Sequence, residues 1–281
     1  MEVFDLKQER RYCGRLGFAM LFVLLGTLVW QYGLLTLDTF VIPGVLPDAL
    51  YYGLILVGGY AVALPVAFRI CKGMPPMPFC KEAPRLRVFV RWAVIGFALM
   101  WIGSLIGNAV TDLVGLVTGR APAPIVDDMV NAMPLAVNIV CVCLLGPLCE
   151  ELLFRGVLLL GILGHTKIKT AGAVTISAGL FAAAHLMNLF AGGGLLYTLP
   201  QTVFAFCAGI CLGALAVRTK SIIPAVILHM TVNLSSIIIE TPAMSGAGIE
   251  TAAICALAIL YLATGLLLLR KQTTKERKFI T

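Results

Sequence analysis

Long apolar stretches, separated by short polar connections, run through the whole chain. Each stretch is close to or longer than the ~20 residues that a helix needs to cross a bilayer. The pattern predicts eight membrane-spanning helices, at about 16–37, 50–70, 88–110, 129–163, 170–190, 195–217, 222–239 and 249–269. We therefore expect an all-α fold, a polytopic membrane helix bundle.

The fourth apolar stretch is the longest. It has 35 residues, and at ~1.5 Å per residue it exceeds the ~30 Å hydrocarbon core, so it must tilt, protrude or break. Gly146 and Pro147 lie inside it. Proline removes a backbone donor and invites a kink, and the carbonyl oxygens this exposes must be satisfied by a cavity or a neighbouring helix. We expect the irregularity near Pro147.

Composition and charge agree with a membrane protein. The chain is 60% hydrophobic and 12% charged, with a mean hydropathy of +0.98, which excludes an ordinary soluble domain. Nineteen of the 21 Lys and Arg residues fall on one side of the eight-helix topology, as the positive-inside rule requires. We expect a multi-pass protein of a bacterial plasma membrane, in contact with lipid and with both termini cytoplasmic. The net charge of +7 then comes from basic residues on the cytoplasmic face of the membrane and does not indicate nucleic-acid binding.

Three charges within six residues interrupt the fourth stretch: Glu150, Glu151 and Arg155. At a helix centre each charge costs about 2.5–3.5 kcal/mol by insertion scales, and such residues are functional by default. Glu151 and Arg155 are four residues apart and meet on one helix face, whereas Glu150 is rotated by about 100°. We predict a structural Glu151–Arg155 ion pair and a Glu150 that handles protons. The alternative is that all three charges only fix helix packing.

Two of the three histidines lie in later apolar stretches. Phe181 precedes His185 by one turn and could hold the imidazole in one orientation. His229 and Asn233 are also four residues apart, and both present N–H donors to one point. With Glu150, these residues predict an intramembrane polar cavity, although a packed core histidine explains His185 equally well when it is considered alone. The chain then divides into a basic lead with three helices at 1–130, a polar core at 131–240, and a last helix with a basic tail at 241–281.

These polar positions resemble the signature of a known family. The three patterns, in chain order, are Glu150-Glu151-x-x-x-Arg155, Phe181-x-x-x-His185 and His229-x-x-x-Asn233. They are similar to the motifs of the CPBP intramembrane proteases, the CAAX-processing and bacteriocin-processing (Abi) family that includes the Ras-converting CAAX endopeptidase. The resemblance covers about 136–238.

The resemblance implies an intramembrane endopeptidase that acts on a CAAX-type or bacteriocin-like peptide, lipidated or not. It implies that Glu150 and His185 activate a water, that His229 and Asn233 stabilise the oxyanion, and that Glu151 and Arg155 hold the framework. Glu150, His185 and His229 also match the ligand number of catalytic zinc. However, the chain has no HExxH motif, and the same groups could activate water without a metal. The cofactor therefore stays open between zinc and none, and the resemblance to the CAAX endopeptidase favours none.

Two other classes of protein remain as alternatives at this point. A proton-coupled transporter could use Glu150 and His185 as a relay, but no paired broken helices in two corresponding halves support it. A non-proteolytic immunity or partner-binding membrane protein is the second alternative. The pattern gives no oligomeric state.

Overall fold

The computed structural model describes residues 6–41, 45–71, 86–119, 134–189, 195–239 and 249–270. These residues form eight helices, numbered here in chain order. Six of them have a single main segment: α1 Leu6–Thr36, α3 Leu86–Thr118, α5 Thr170–His185, α6 Leu195–Thr219, α7 Ile223–Ile239 and α8 Ile249–Arg270. A π-helical end, Leu37–Val41, continues α1, and a 3-10 turn, Leu186–Leu189, continues α5.

The other two helices change their hydrogen-bond pattern along their length. Helix α2 consists of Asp48–Gly53, the π-helical Leu54–Gly58, and Gly59–Ile70. Helix α4 has five segments: Leu135–Val137, the π-helical Asn138–Leu145, Gly146–Glu151, the π-helical Leu152–Leu159, and Leu160–His165. The expected irregularity near Pro147 is therefore a transition between a π-helical and an α-helical segment.

The structure confirms an all-α polytopic membrane bundle. Six of the eight helices contain a stretch that is long and apolar enough to cross a membrane, in α1 to α6. The described parts of α7 and α8 contribute shorter apolar stretches, Ile223–Ile237 and Ile254–Arg270. At ~1.5 Å per residue both of these fall short of the ~30 Å hydrocarbon core. Of the eight spans predicted, six thus meet the length requirement within the described residues, and the other two are present as shorter apolar helices.

Helix α6 occupies the centre of the bundle. Its span is 61% buried, compared with 17% for the span of α1. It contributes side chains to two apolar clusters: Ala205 and Ile210 pack with α1, α2, α4 and α5, and Cys211 and Leu212 pack with α3, α7 and α8. The two halves of the bundle are therefore joined through α6.

Some sequence predictions fall outside the described residues. These are the proposed beginning of the fourth helix at 129–133, most of the polar connection at 72–85, and the basic tail at 271–281. Cytoplasmic placement of both termini and the division at 130 and 240 remain predictions.

Candidate active site

The predicted ion pair between Glu151 and Arg155 is present in α4. Nη1 of Arg155 donates to Oε1 of Glu151 at 2.8 Å, and both side chains are fully buried. Nη2 of Arg155 also donates to the backbone oxygen of Gly209 in α6 at 3.3 Å. The pair therefore ties α4 to the central helix. Within the described part of the chain, Oε2 of Glu151 and Nε of Arg155 have no hydrogen-bond partner.

His229 of α7 connects the two adjacent glutamates. Its Nδ1 lies 3.0 Å from Oε1 of Glu151, and its Nε2 lies 3.7 Å from Oε2 of Glu150. A carboxylate only accepts, so Nδ1 carries the hydrogen and Nε2 is turned toward Glu150. The two acids were predicted to be separate in function, whereas His229 approaches both of them. The contact between His229 and Glu151 was not predicted, because no motif spacing indicates it.

Exposure distinguishes the two glutamates. The Glu150 side chain is 23% exposed and the Glu151 side chain is 0% exposed. Glu150 is therefore the carboxylate that a water or a substrate could reach, whereas Glu151 is enclosed by Arg155 and His229.

His185 is held by its own helix. Its Nδ1 lies 2.9 Å from the backbone oxygen of Phe181. Because a carbonyl oxygen cannot donate, Nδ1 carries the hydrogen and Nε2 keeps a free lone pair. The ring is partly buried. This tautomer suits an imidazole that accepts a hydrogen bond from a water.

Phe181 is the packing centre of the candidate site. Its ring meets His185 at 4.7 Å and His229 at 5.7 Å between centroids, both edge to face. The guanidinium of Arg155 lies over the same ring, with Cζ 4.5 Å from the centroid. One ring thus touches both imidazoles and the ion pair, which goes beyond the predicted support of His185.

Asn233 has a backbone partner. Its Nδ2 donates to the carbonyl oxygen of Val142 at 2.9 Å. In the π-helical segment that contains Val142, the N–H of Gly146 bonds to the oxygen of Cys141, five residues earlier. The next donor in that pattern would be Pro147, which has no N–H. Asn233 therefore satisfies a carbonyl that the proline leaves open, and its second amide hydrogen remains for another acceptor.

The metal set of Glu150, His185 and His229 remains a prediction. Across the residues that the structure describes, no three His, Cys, Asp or Glu side chains are grouped so as to hold an ion. Glu150 and His229 lie together, while the other ring nitrogen of His229 is occupied by Glu151. The arrangement offers an accessible carboxylate, two oriented imidazoles and an amide donor, which is a set suited to general-base chemistry and oxyanion stabilisation.

The part of the chain that holds the candidate site is similar to known proteases. Residues 132–235, which hold all of these side chains, match the family described as Type II CAAX prenyl endopeptidase Rce1-like. This part of the chain is therefore similar to the CAAX proteases that the motifs resemble. It is 27% identical over 157 residues to the membrane-embedded CAAX protease MroQ of Staphylococcus aureus (strain USA300), a match that covers 52% of this chain and 56% of that protein. The chain thus spans little more than half the length of the curated relative that it matches. No solved structure matches the chain.

Proposed function

We propose that the protein is an intramembrane endopeptidase that hydrolyses a peptide bond of a membrane-associated substrate. The observation that carries the proposal is the partly exposed Glu150 carboxylate beside His229, inside the region that matches a CAAX endopeptidase family. A carboxylate with restricted access to water is suited to general-base work. Its neighbour Glu151, fully buried on Arg155, serves as a positioning residue for His229.

The reaction follows from the orientation of each group. Glu150 takes a proton from a water whose other hydrogen is accepted by Nε2 of His185. The water oxygen attacks the carbonyl carbon of the peptide bond, and the carbonyl electrons move to its oxygen. His229 through Nε2 and Asn233 through its second amide hydrogen donate to that oxyanion.

Collapse of this intermediate breaks the carbon–nitrogen bond, and Glu150 returns the proton to the leaving amine. Because Nδ1–H of His229 is used on Glu151, Nε2 donates only when the ring is an imidazolium. The mechanism therefore requires His229 to be protonated when the oxyanion forms.

The substrate we propose is a CAAX-type or bacteriocin-like membrane peptide, processed in a bacterial plasma membrane by a chain whose termini are cytoplasmic. The region 131–240 would act as the catalytic core, flanked by helices at 1–130 and 241–281 that hold it in lipid.

The test uses the full chain in liposomes with two peptides of one sequence, a prenylated CAAX peptide and its unprenylated form. Cleavage is followed by mass spectrometry. We expect Glu150→Gln and His185→Ala to abolish cleavage of whichever peptide the wild type cuts. The control is Asp112→Asn, an exposed carboxylate in α3, which should cleave like the wild type. Full activity in both site variants would overturn the mechanism, and proton-driven uptake without cleavage would indicate a transporter.

A further inference from the structure

Helices α5 and α6 pack antiparallel in a fixed register. A Cβ built on Gly213 would lie 3.1 Å from Cγ1 of Val174, and one built on Gly209 would lie 2.9 Å from Cβ of Ala178. A step of one turn back along α6 thus corresponds to a step of one turn forward along α5. Continued for about two more turns, this register brings the first half of α6 to the turn Leu186–Leu189 that ends α5, and α6 contacts this turn.

A side-chain hydrogen bond joins the two helices at this turn. Nδ2 of Asn188 donates to Oε1 of Gln201 in α6 at 2.8 Å. All residues of the turn are only partly buried, so apolar packing alone contributes little to holding it in place. Hydrogen bonds between side chains of neighbouring helices stabilise helix association in membranes. The Asn188–Gln201 bond therefore fixes the end of α5 on the central helix.

Asn188 lies on the face of α5 that carries the candidate site. Phe181, His185 and Asn188 follow one another at intervals of four and three residues, which places them on one helix face. His185 is the last residue of the α-helical segment, and the last turn of a helix lacks part of the hydrogen bonding of its interior. The bond of its Nδ1 to the Phe181 oxygen at 2.9 Å depends on the shape of that turn. Loosening the turn after His185 would therefore release the imidazole from Phe181.

We propose that Asn188, held by Gln201, is a positioning residue that keeps His185 in the orientation needed to accept a hydrogen bond from the attacking water. The inference rests on the proposed function. The bond to Phe181 keeps the hydrogen on Nδ1 of His185 and the lone pair on Nε2, and Nε2 is the atom that meets the water. By fixing the turn that follows His185, the amide pair maintains this tautomer.

Helix α6 then supports two parts of the site at once. Arg155 of the buried ion pair donates to the Gly209 oxygen of α6 at 3.3 Å. Gln201 lies about 12 Å away along the same helix, at ~1.5 Å per residue, and holds the turn after His185. Because both links end on one helix, breaking either of them should change the separation between His185 and the Glu150 carboxylate.

The kinetic test compares Asn188→Ala, Gln201→Ala and the double variant in liposomes. We expect each single variant to lower kcat, expressed per folded protein, roughly 10- to 100-fold, the scale on which a misplaced catalytic group costs rate, with KM little changed. Because the two residues act through one bond, the double variant should be about as slow as the single variants. The control is Thr202→Val, which removes a bond of 2.7 Å to the Thr198 oxygen within α6 and should match the wild type.

The kinetic outcomes separate the inference from the proposed function. If the wild type cleaves, single variants with the wild-type kcat, or losses that multiply in the double variant, would overturn the inference alone. A wild type that cleaves no peptide would overturn the proposed function.

A second measurement observes the imidazole without any proteolysis. Nitrogen NMR of the full chain with isotope-labelled histidine distinguishes the Nδ1–H tautomer from the Nε2–H tautomer. Spectra are recorded in alkaline solution, where imidazoles are neutral, and the signals of His185 are identified by their loss in His185→Gln. We expect the Nδ1–H form to predominate in the wild type and in Thr202→Val, and a mixture of both forms in Asn188→Ala and Gln201→Ala. The wild-type tautomer in either alanine variant, shown to be folded by its unfolding temperature, would overturn the inference whether or not the protein cleaves.

Discussion

Asn233 donates to the carbonyl oxygen of Val142 at 2.9 Å, and this bond replaces the one that Pro147 cannot make. The residue proposed to stabilise an oxyanion is therefore also a structural link between α7 and α4. Because Asn233 has two roles, a loss of cleavage in an Asn233 variant could come from either of them. A second substitution, at Pro147, separates the structural role from the catalytic one.

The first prediction concerns Asn233→Ala with and without Pro147→Ala. Alone, Asn233→Ala should destabilise the protein by about 1–3 kcal/mol, the usual cost of an unsatisfied buried polar group. With Pro147→Ala, a backbone N–H becomes available to Val142, so the stability cost of Asn233→Ala should shrink. Cleavage should stay low in both backgrounds. Denaturant unfolding in detergent measures the first effect and peptide cleavage the second, and an unchanged stability cost would contradict the role given to Pro147.

The second prediction distinguishes two roles of Glu151, which are to neutralise Arg155 and to orient His229. Glu151→Ala leaves Arg155 buried and unpaired, and we expect a loss of about 3–5 kcal/mol. The double variant Glu151→Leu with Arg155→Leu removes both charges and should recover most of that stability. It should not recover cleavage, because His229 still lacks its acceptor.

The measurements for Glu151 are unfolding in detergent and cleavage in liposomes. Asp112→Asn, which removes one exposed carboxylate, serves as the control for loss of a single negative charge. Recovery of cleavage in the double variant would show that His229 needs no contact with Glu151.

Some contacts of the candidate site could be predicted from the sequence, and others could not. The Glu151–Arg155 pair and the Phe181–His185 contact were predictable because both are four residues apart on one helix, and the structure has both. The contact of His229 with Glu151 joins residues 78 positions apart. This contact depends on how α7 packs on α4, and residue spacings within a single helix do not predict that packing.

The positions of the helices could be predicted from the lengths of the apolar stretches. Two examples are α6 and α7, whose ends lie within two residues of the predicted 195–217 and 222–239: they are Leu195–Thr219 and Ile223–Ile239. The π-helical segments of α2 and α4 were not predicted. Their hydrogen bonds depend on which neighbouring helix satisfies the displaced carbonyls, as Asn233 does for Val142, and that is a property of the packed bundle.

The third prediction tests Phe181 as the packing centre. Phe181→Leu keeps an apolar side chain but removes the ring that both imidazoles and Arg155 contact. We expect cleavage to fall by more than about tenfold, since oriented groups lose rate steeply when displaced. The control is Phe204→Leu, whose ring packs on Tyr261 at 5.6 Å, away from the site. It should lose stability with little change in cleavage per folded protein, and equal losses of cleavage would contradict a special role for Phe181.

The fourth prediction concerns Gly209, where α6 approaches α5. A Cβ there would lie 2.9 Å from Cβ and 3.0 Å from Cα of Ala178, and 3.5 Å from Nη2 of Arg155. The Cα atom cannot rotate away, so Gly209→Ala must separate the helices and lengthen the bond from Arg155 to the Gly209 oxygen. We expect a destabilisation of about 1–3 kcal/mol, as for other overpacked cores, together with reduced cleavage. Ala178→Gly should partly rescue both.

The matched control for Gly209 is Gly179, the neighbour of Ala178 on α5. A Cβ built on Gly179 meets nothing within 4 Å, so Gly179→Ala should leave cleavage unchanged. Its stability should stay level or rise by roughly 0.5–1 kcal/mol, because alanine is favoured over glycine inside a helix. Comparing the two alanine variants thus separates the effect of helix propensity from the effect of forcing α5 and α6 apart. If both alanine variants behaved alike in unfolding and cleavage, the close contact of α5 with α6 would not be what holds Arg155 in place.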